Sequence, residues 1–336
     1  MGDDEEMKSS PGMKYAASVM STLRSQGFVW LFVAAVIVAF SARDLSAQSA
    51  AAVKAPLQVA FTFDDLPAHG PLPPGMARPA VVKSILATLK REHMPPIYGF
   101  VNGFRAAQYP YQIHILEAWR AAGNPVGNHT WSHPEFDKLS VAQYEANIVR
   151  NEPLLRKISP DSDWHWFRFP FLEEGNTIER REQLRGWLSQ HGYRIAEVSM
   201  DFQDYNWNDP YARCAAKHDN TAISSLHDSY LNAADESIRV YRQIAQTLYH
   251  RDVPYVLLLH VGAFDARMLP ELIALFRSRG FSFVTLERAM ADPTYSFDPK
   301  VPSPEGNTFN EMVAQTHNVN IPEMTDRSKQ LDAMCR

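Results

Sequence analysis

The sequence predicts an α/β fold in which alternating strands and helices form a single barrel-sized domain. Between residues 57 and 286, short β-rich runs alternate with helical patterns at the period of β/α units. Without a leader at residues 1–50 and a tail at residues 292–336, about 240 residues remain, which suits one barrel. Several of the β-rich runs also end in acidic or histidine side chains, and active sites of barrels lie at that end of the strands.

The composition is that of an ordinary globular protein. The chain has 336 residues, of which 45% are hydrophobic and 21% charged, and only 15 are Gly and two are Cys. These proportions exclude disordered, collagen-like and small disulfide-scaffold proteins. The formal net charge is -5 without a cluster of Lys or Arg, so we expect no nucleic-acid partner.

The first 50 residues are predicted to lie outside the domain. Residues 28–40 form an uncharged apolar run that follows Lys14 and Arg24 and precedes small residues, which resembles a signal peptide. The run is shorter than the roughly 20 residues that span a bilayer. We therefore expect export to the periplasm or the medium, with an N-terminal membrane anchor at residues 28–40 as the alternative.

Seven candidate strands are connected by helical patterns. Val82, Ile85 and Leu89 keep helical spacing after the first strand, and Ser140 with Gln143 forms a capping box that begins a later helix. The candidate strands are residues 57–63, 97–101, 125–129, 166–169, 194–200, 255–260 and 281–286.

Two further segments complete the predicted organisation, in which the domain covers residues 51–291. Residues 207–252 are longer than one connection requires and are interpreted as an insertion before the sixth strand, with a polar loop to about residue 220 and then a helix. Residues 292–336 are polar and rich in Pro, which predicts a surface tail. Cys214 and Cys335 either pair in an oxidising compartment or remain two free thiols.

Candidate catalytic residues follow the predicted strands. Asp64 and Asp65 directly follow the first strand, and His129 and His133 lie at and just past the end of the third. An isolated acidic pair is more often a solvated turn, and the histidine spacing alone is weak. Because all of them fall at the same end of the barrel, however, two imidazoles and a carboxylate can form the three-ligand set of an open divalent metal site.

Three more strands end in polar side chains. Arg168 follows the fourth strand and could hold a carboxylate, although a surface salt bridge is the ordinary alternative. Asp201 and Asp204 follow the fifth strand. His260 ends a very apolar sixth strand, where burial is costly without a partner.

Taken together, these residues resemble the NodB-type polysaccharide deacetylases of carbohydrate esterase family four, over residues 57–291. The first motif is present from Thr62 to Asp65, and the second is His129 with His133. The resemblance implies a distorted (β/α)7 barrel. It also implies that Asp64 is the catalytic base and that Asp65, His129 and His133 bind a divalent metal ion, with zinc first and cobalt, nickel or ferrous iron as alternatives.

The remaining motifs imply further roles. In the third motif, Arg168 would orient Asp64, and the backbone N–H of Phe171 would stabilise the oxyanion, with Phe in place of the family's Tyr. In the fifth motif, Leu258 would line the acetyl pocket and His260 would be the general acid. The fourth motif departs from the pattern. Asp204 would partner His260, while Tyr205 takes the position of the family's Trp and the nearest Trp is Trp207.

The resemblance implies hydrolysis of N-acetyl groups on amino sugars of a polysaccharide, so the expected partner is an N-acetylated glycan. Two alternatives remain: hydrolysis of a small cyclic amide or ureide on the same fold, and a sugar-binding barrel without catalysis. The choice of glycan is expected to depend on loops such as residues 66–79 and 207–220.

Overall fold

Seven parallel strands form the centre of the structure, a computed structural model that describes residues 56–336. The predicted leader at residues 1–50 lies outside the described residues. No helix within residues 56–336 is both long enough and apolar enough to cross a membrane. The strands are β1 (Leu57–Leu66), β2 (Tyr98–Val101), β3 (Val126–Asn128), β4 (Trp166–Phe167), β5 (Arg194–Ile195), β6 (Tyr255–His260) and β7 (Phe281–Phe283).

The sheet curls around β1, which pairs with three other strands. One edge of β1 pairs with β6, and the opposite edge pairs first with β7 and then with β2. Beyond β2 the order continues through β3 and β4 to β5. The chain after β5 then meets β6 through a bridge between Met200 and Leu257. The sheet is therefore a distorted barrel of parallel strands, which confirms the predicted fold class.

Three predicted strands are at least twice as long as the observed ones, and in the segment 281–286 only Phe281–Phe283 forms a strand. The segments 166–169 and 194–200 contain only the two-residue strands β4 and β5. The reason is that the chain changes neighbours: Ala196 still donates to a carbonyl of β4, whereas Ser199 and Met200 donate to Val256 in β6. The residues between cross from one strand to the other and form no continuous ladder with either.

Helices surround the barrel and bury one face each. In the first helix Val82, Ile85 and Leu89 are buried, as their spacing predicts, and Ser140 and Gln143 form the predicted capping box. The helices are α1 (Arg78–Arg91), α2 (Gly103–Gln108), α3 (Ile113–Ala121), α4 (Val141–Ile158), α5 (Ile178–Gln190), α6 (Asn208–Ala216), α7 (Asn220–Tyr249), α8 (Ala263–Ser278), α9 (Leu286–Met290), α10 (Phe309–Thr316) and α11 (Ser328–Ala333).

The insertion before β6 is helical throughout most of its length. The long helix α7 confirms the predicted helical pattern, but the predicted polar loop to about residue 220 is wrong, because most of it is α6. Tyr211 and Cys214 lie on the buried face of α6. The helix has only nine residues, so its apolar spacing is too short to stand out among the polar residues of the segment.

The C-terminal segment is more integrated than a surface tail. Phe309, Met312 and Val313 of α10 are buried, so residues 292–336 contribute to the core. Cys335 forms a disulfide bond with Cys214 of α6, which settles the choice that the sequence left open. The prediction of a tail was wrong because three apolar residues in one short helix form no extended periodic pattern.

Candidate active site

The register between β1 and β6 builds the centre of the site. Asp64 pairs with His260 across the two parallel strands, so a carboxylate and an imidazole lie side by side at the same end of the barrel. Asp65 follows immediately and has a backbone φ of 63°, in the left-handed region that residues other than Gly rarely adopt. This turn lets the two neighbouring carboxylates serve different partners.

Asp65, His129 and His133 come together as the sequence predicts. The Nε2 atoms of His129 and His133 lie 3.8 and 3.5 Å from Oδ1 of Asp65. That oxygen is buried and has no hydrogen-bond partner among the described residues. A buried carboxylate oxygen without a partner is costly. The three side chains can therefore hold a divalent metal ion, which would satisfy this oxygen.

The protonation of the two histidines suits metal binding. His129 Nδ1 lies 2.8 Å from the backbone carbonyl of Arg168, which can only accept, so Nδ1 carries the proton and Nε2 keeps its lone pair. Burial lowers the pKa of both His129 and His133 to about 4. Both rings are therefore neutral near pH 7 and offer a lone pair to a cation.

His69 is a site residue that the sequence analysis missed. Its Nδ1 atom lies 2.7 Å from Oδ2 of Asp65, the oxygen that does not face His129 and His133. Although burial acts to raise it, this hydrogen bond holds the pKa of Asp65 well below its usual range. The only signal in the sequence was the position of His69 in the loop after β1, which carries no recognisable motif.

Arg168 holds the other carboxylate, as predicted. Its Nη1 atom donates to both oxygens of Asp64, at 3.2 and 3.4 Å, and its Nε donates to the carbonyl of Ala196. Both charged side chains are buried. Burial raises the pKa of Asp64 to about 6, although the positive charge of Arg168 opposes the rise. Asp64 is thus a fixed carboxylate that can exchange a proton near neutral pH.

His260 and Asp204 form a pair on the opposite side of Asp64. One oxygen of Asp204 lies 2.8 Å from His260 Nδ1, and the other accepts the backbone N–H of His260 at 2.7 Å. Burial acts to lower the pKa of His260, but the charge and hydrogen bond of Asp204 outweigh it and raise the pKa to about 10. His260 is therefore protonated at neutral pH.

Asp265 supports this pair and was also missed by the sequence analysis. It is buried beside Asp204, and the hydroxyl of Tyr230 donates to its Oδ1 at 2.9 Å. Burial and the negative charge of Asp204 raise the pKa of Asp265 well above its usual range. Asp265 is therefore protonated and can donate to Asp204. A lone Asp in the first turn of α8 gives no such signal in the sequence.

The predicted substrate-contacting residues separate into exposed and buried ones. Phe171 is exposed, and its ring lies 4.3 Å from that of His133. Tyr205 is also exposed, 5.3 Å from the ring of His260. Leu258 precedes His260 by two positions and therefore shares its face of β6, deeper in the barrel. These three positions suit contact with a substrate.

Trp207, in contrast, does not line the site. Its side chain is 2% exposed and packs against the rings of Phe202 and Tyr230. The prediction that Trp207 contacts substrate was therefore wrong, because the chain turns inward directly after Tyr205. Tyr205, in contrast, is exposed and presents its ring at this part of the rim.

The comparisons with known proteins agree with this arrangement. A family model described as polysaccharide deacetylase matches residues 53–196, which include every predicted motif up to Arg168. A peptidoglycan-N-acetylglucosamine deacetylase of Bacillus cereus is 28% identical over 148 residues, which is 44% of this chain and 46% of that protein. A peptidoglycan-N-acetylmuramic acid deacetylase of Bacillus subtilis is 36% identical over 192 residues, which is 57% of this chain and 36% of that protein.

The chain thus spans less than half the length of these two bacterial relatives. Its fold matches the solved structure of the chitin deacetylase from the fungus Colletotrichum lindemuthianum with a TM-score of 0.51 and 23% identity, covering 72% of this chain and 91% of that one. Through residues 53–196 the chain is thus similar to polysaccharide deacetylases, and the sequence motifs and the barrel agree with this similarity.

Proposed function

We propose that the chain is a metal-dependent hydrolase that removes N-acetyl groups from amino sugars of a polysaccharide. The observation that carries this proposal is the position of Asp64 between two sets of residues. Asp65, His129 and His133 form a metal-ligand set on one side, and the protonated His260 lies on the other. Amide hydrolysis needs a base for water, an electrophile for the carbonyl and an acid for the leaving nitrogen.

Asp64 is the proposed base. Its carboxylate is held by Arg168, and its pKa of about 6 leaves it mostly ionised at pH 7 and able to accept a proton there. Its Oδ2 atom lies 3.7 Å from His129 Nε2, beside the ligand set. A water molecule next to this set can therefore lose its proton to Asp64 as it attacks the acetyl carbon.

The proposed ion is zinc, with cobalt, nickel or ferrous iron as alternatives. Two imidazole nitrogens and one carboxylate oxygen are the donor set of open zinc sites, in which further positions are left for water or substrate. When bound, the ion would polarise the acetyl carbonyl and lower the pKa of water. Asp65, His129 and His133 would hold it.

His260 is the proposed acid. Asp204 fixes its Nδ1 atom, so Nε2 remains for the departing nitrogen of the sugar. The backbone N–H of Phe171 would stabilise the oxyanion, Leu258 would contact the acetyl methyl group, and Tyr205 would form part of the groove wall. The base and the acid are separate groups, and the pairing of β1 with β6 brings Asp64 and His260 side by side.

Export to an oxidising compartment is part of the proposal. The disulfide bond between Cys214 and Cys335 supports it, because such bonds persist in the periplasm and outside the cell. The apolar run at residues 28–40 supports it from the sequence.

The test is hydrolysis of a panel of acetylated polymers and cyclic ureides, with and without a chelator, measured as acetate release for the polymers and as ring opening for the ureides. The panel contains chitin oligomers, peptidoglycan, an acetylated exopolysaccharide and cyclic ureides. We expect acetate from at least one glycan, loss of release with chelator, and recovery when zinc is returned. Turnover of the ureides alone would support the cyclic-amide alternative, and a metal-free protein that is inactive on every substrate would support a sugar-binding barrel.

A further inference from the structure

Exposed apolar side chains gather around the candidate active site. Eight large hydrophobic side chains are exposed within residues 56–336, and six of them follow the carboxyl ends of strands: Met76, Phe104, Tyr109, Tyr111, Phe171 and Tyr205. Phe104, Tyr109 and Tyr111 form a group on α2 and the turn after it, which we call the aromatic platform. Their side chains are 47%, 46% and 51% exposed. Exposed apolar groups clustered in this way usually mark a binding surface.

The aromatic platform is attached to the site through the backbone. Its helix α2 begins two residues after β2 ends, so it lies at the same end of the barrel as Asp64. The backbone N–H of Phe104 donates to the carbonyl of Trp131, which lies between His129 and His133. The aromatic platform therefore lies next to the loop that carries two proposed metal ligands.

Two arginines lie beside the aromatic platform, Arg105 on α2 itself and Arg78 at the start of α1. Arg78 donates from Nη1 to the carbonyl of His69 at 2.7 Å, so its guanidinium contacts a residue of the candidate active site. Burial and the nearby positive charge of Arg105 lower the pKa of Arg78. In residues 56–336 neither guanidinium forms a salt bridge with a carboxylate. Two neighbouring cations without a counter-charge favour an anionic ligand.

We propose that the aromatic platform, with Arg78 and Arg105, binds glycan units next to the reacting acetamide and selects N-acetylated glycans that carry carboxylate groups. Tyr109 and Tyr111, whose ring centres are 6.2 Å apart, offer apolar faces against which sugar rings pack. The two guanidiniums offer donors that match a carboxylate. This inference rests on the proposed deacetylase function and names its substrate class.

The experiment measures binding without turnover, by calorimetry with the Asp64→Asn protein. The two probes are a peptidoglycan tetrasaccharide without peptides, whose muramic residues carry carboxylates, and the same tetrasaccharide with those carboxylates amidated. We expect the acidic probe to bind about tenfold more tightly, a difference that shrinks at 0.5 M salt because both guanidiniums are only partly buried and salt screens them. Arg105→Gln should remove most of this preference.

The control variants separate charge from stacking. Tyr111→Ala should weaken the binding of both probes by a similar factor, because packing of a sugar ring against Tyr111 does not depend on the carboxylate. Arg288→Gln, an exposed arginine on α9, should change neither. Equal binding of the two probes, no binding of either, or an Arg105→Gln variant that keeps the preference would overturn the inference.

Acetate release by the unmodified protein separates this inference from the proposed function. Release without a preference for acidic glycans leaves the function intact and rejects the substrate class. A preference for acidic glycans without release from any acetylated glycan rejects the function and leaves the binding surface.

Discussion

Asp204 contacts His260 twice, with one carboxylate oxygen 2.8 Å from the ring Nδ1 and the other 2.7 Å from the backbone nitrogen. This carboxylate is fully buried. It fixes the orientation of the His260 ring and stabilises the protonated form of that ring. The pair therefore acts as one unit, in which Asp204 positions His260 and keeps it protonated.

The first prediction concerns this pair. Asp204→Asn should lower kcat about 100-fold or more, because the neutral amide no longer stabilises the charged imidazole. His260→Ala should lower kcat by at least the same factor. Since the two residues act together, the double variant should be no slower than His260→Ala alone. Additive losses in the double variant would show that Asp204 acts independently of His260.

His69 is predicted to position Asp65, a proposed metal ligand. His69→Ala should weaken zinc binding about 10- to 100-fold, the usual cost of losing a hydrogen bond to a ligand. His69→Asn should recover much of it, because the amide can donate from nearly the same position as Nδ1. Competition with a chromophoric chelator measures both affinities. His227→Ala, on the exposed side of α7, should bind zinc normally, and an unchanged affinity in His69→Ala would reject the role.

Asn208 is predicted to stabilise the rim of the barrel. Its side chain is buried, donates to the carbonyl of Pro71, and accepts from the backbone N–H groups of Ala263 and Phe264 at the start of α8. Asn208→Ala leaves these groups unpaired and should lower the free energy of unfolding by about 2–4 kcal/mol. Urea denaturation measures this free energy, with Asn206→Ala, at a partly exposed position, as the control. Equal effects of the two variants would contradict this assignment.

Asp201 provides a prediction about pH. Burial raises its pKa to about 7, above the value of 3.8 for a free side chain. The ionised form therefore destabilises the folded state, by an amount that is absent below pH 4, grows from pH 4 to 7 and is complete above pH 7.

Asp201→Asn should accordingly stabilise the protein more at pH 8 than at pH 5, by about 1 kcal/mol or more. Unfolding measured at both values tests this, with Asp161→Asn at an exposed position as the control. A variant that is less stable at pH 8 than the unmodified protein would show that the charged carboxylate is favourable.

The sequence was informative wherever a physical pattern was continuous. The apolar runs of β1 and β6 predicted strands, and the polar residues that end them, Asp64 and His260, proved to be neighbours. Short elements were predicted less well. The strand β5 changes partners after two residues, and α10 buries its apolar residues in only eight positions.

The site residues that the sequence did not predict were missed for a different reason. His69 and Asp265 reach the site through tertiary contacts, with Asp65 and Asp204 respectively, and neither belongs to a motif. Trp207 was assigned to the groove because it is the Trp nearest to the expected position, but the direction of its side chain depends on a turn that the sequence does not reveal. Spacing indicates proximity along the chain, whereas these roles depend on orientation.

The central claim is that Asp64 is the base and does not hold the metal ion. The most direct measurement compares zinc content and acetate release in Asp64→Asn and in His133→Ala, using the glycan from the substrate panel that yields the most acetate with the unmodified protein. We predict that Asp64→Asn retains one zinc ion and loses at least about 100-fold in kcat, whereas His133→Ala loses zinc. Full acetate release by Asp64→Asn, or loss of its zinc, would contradict the account.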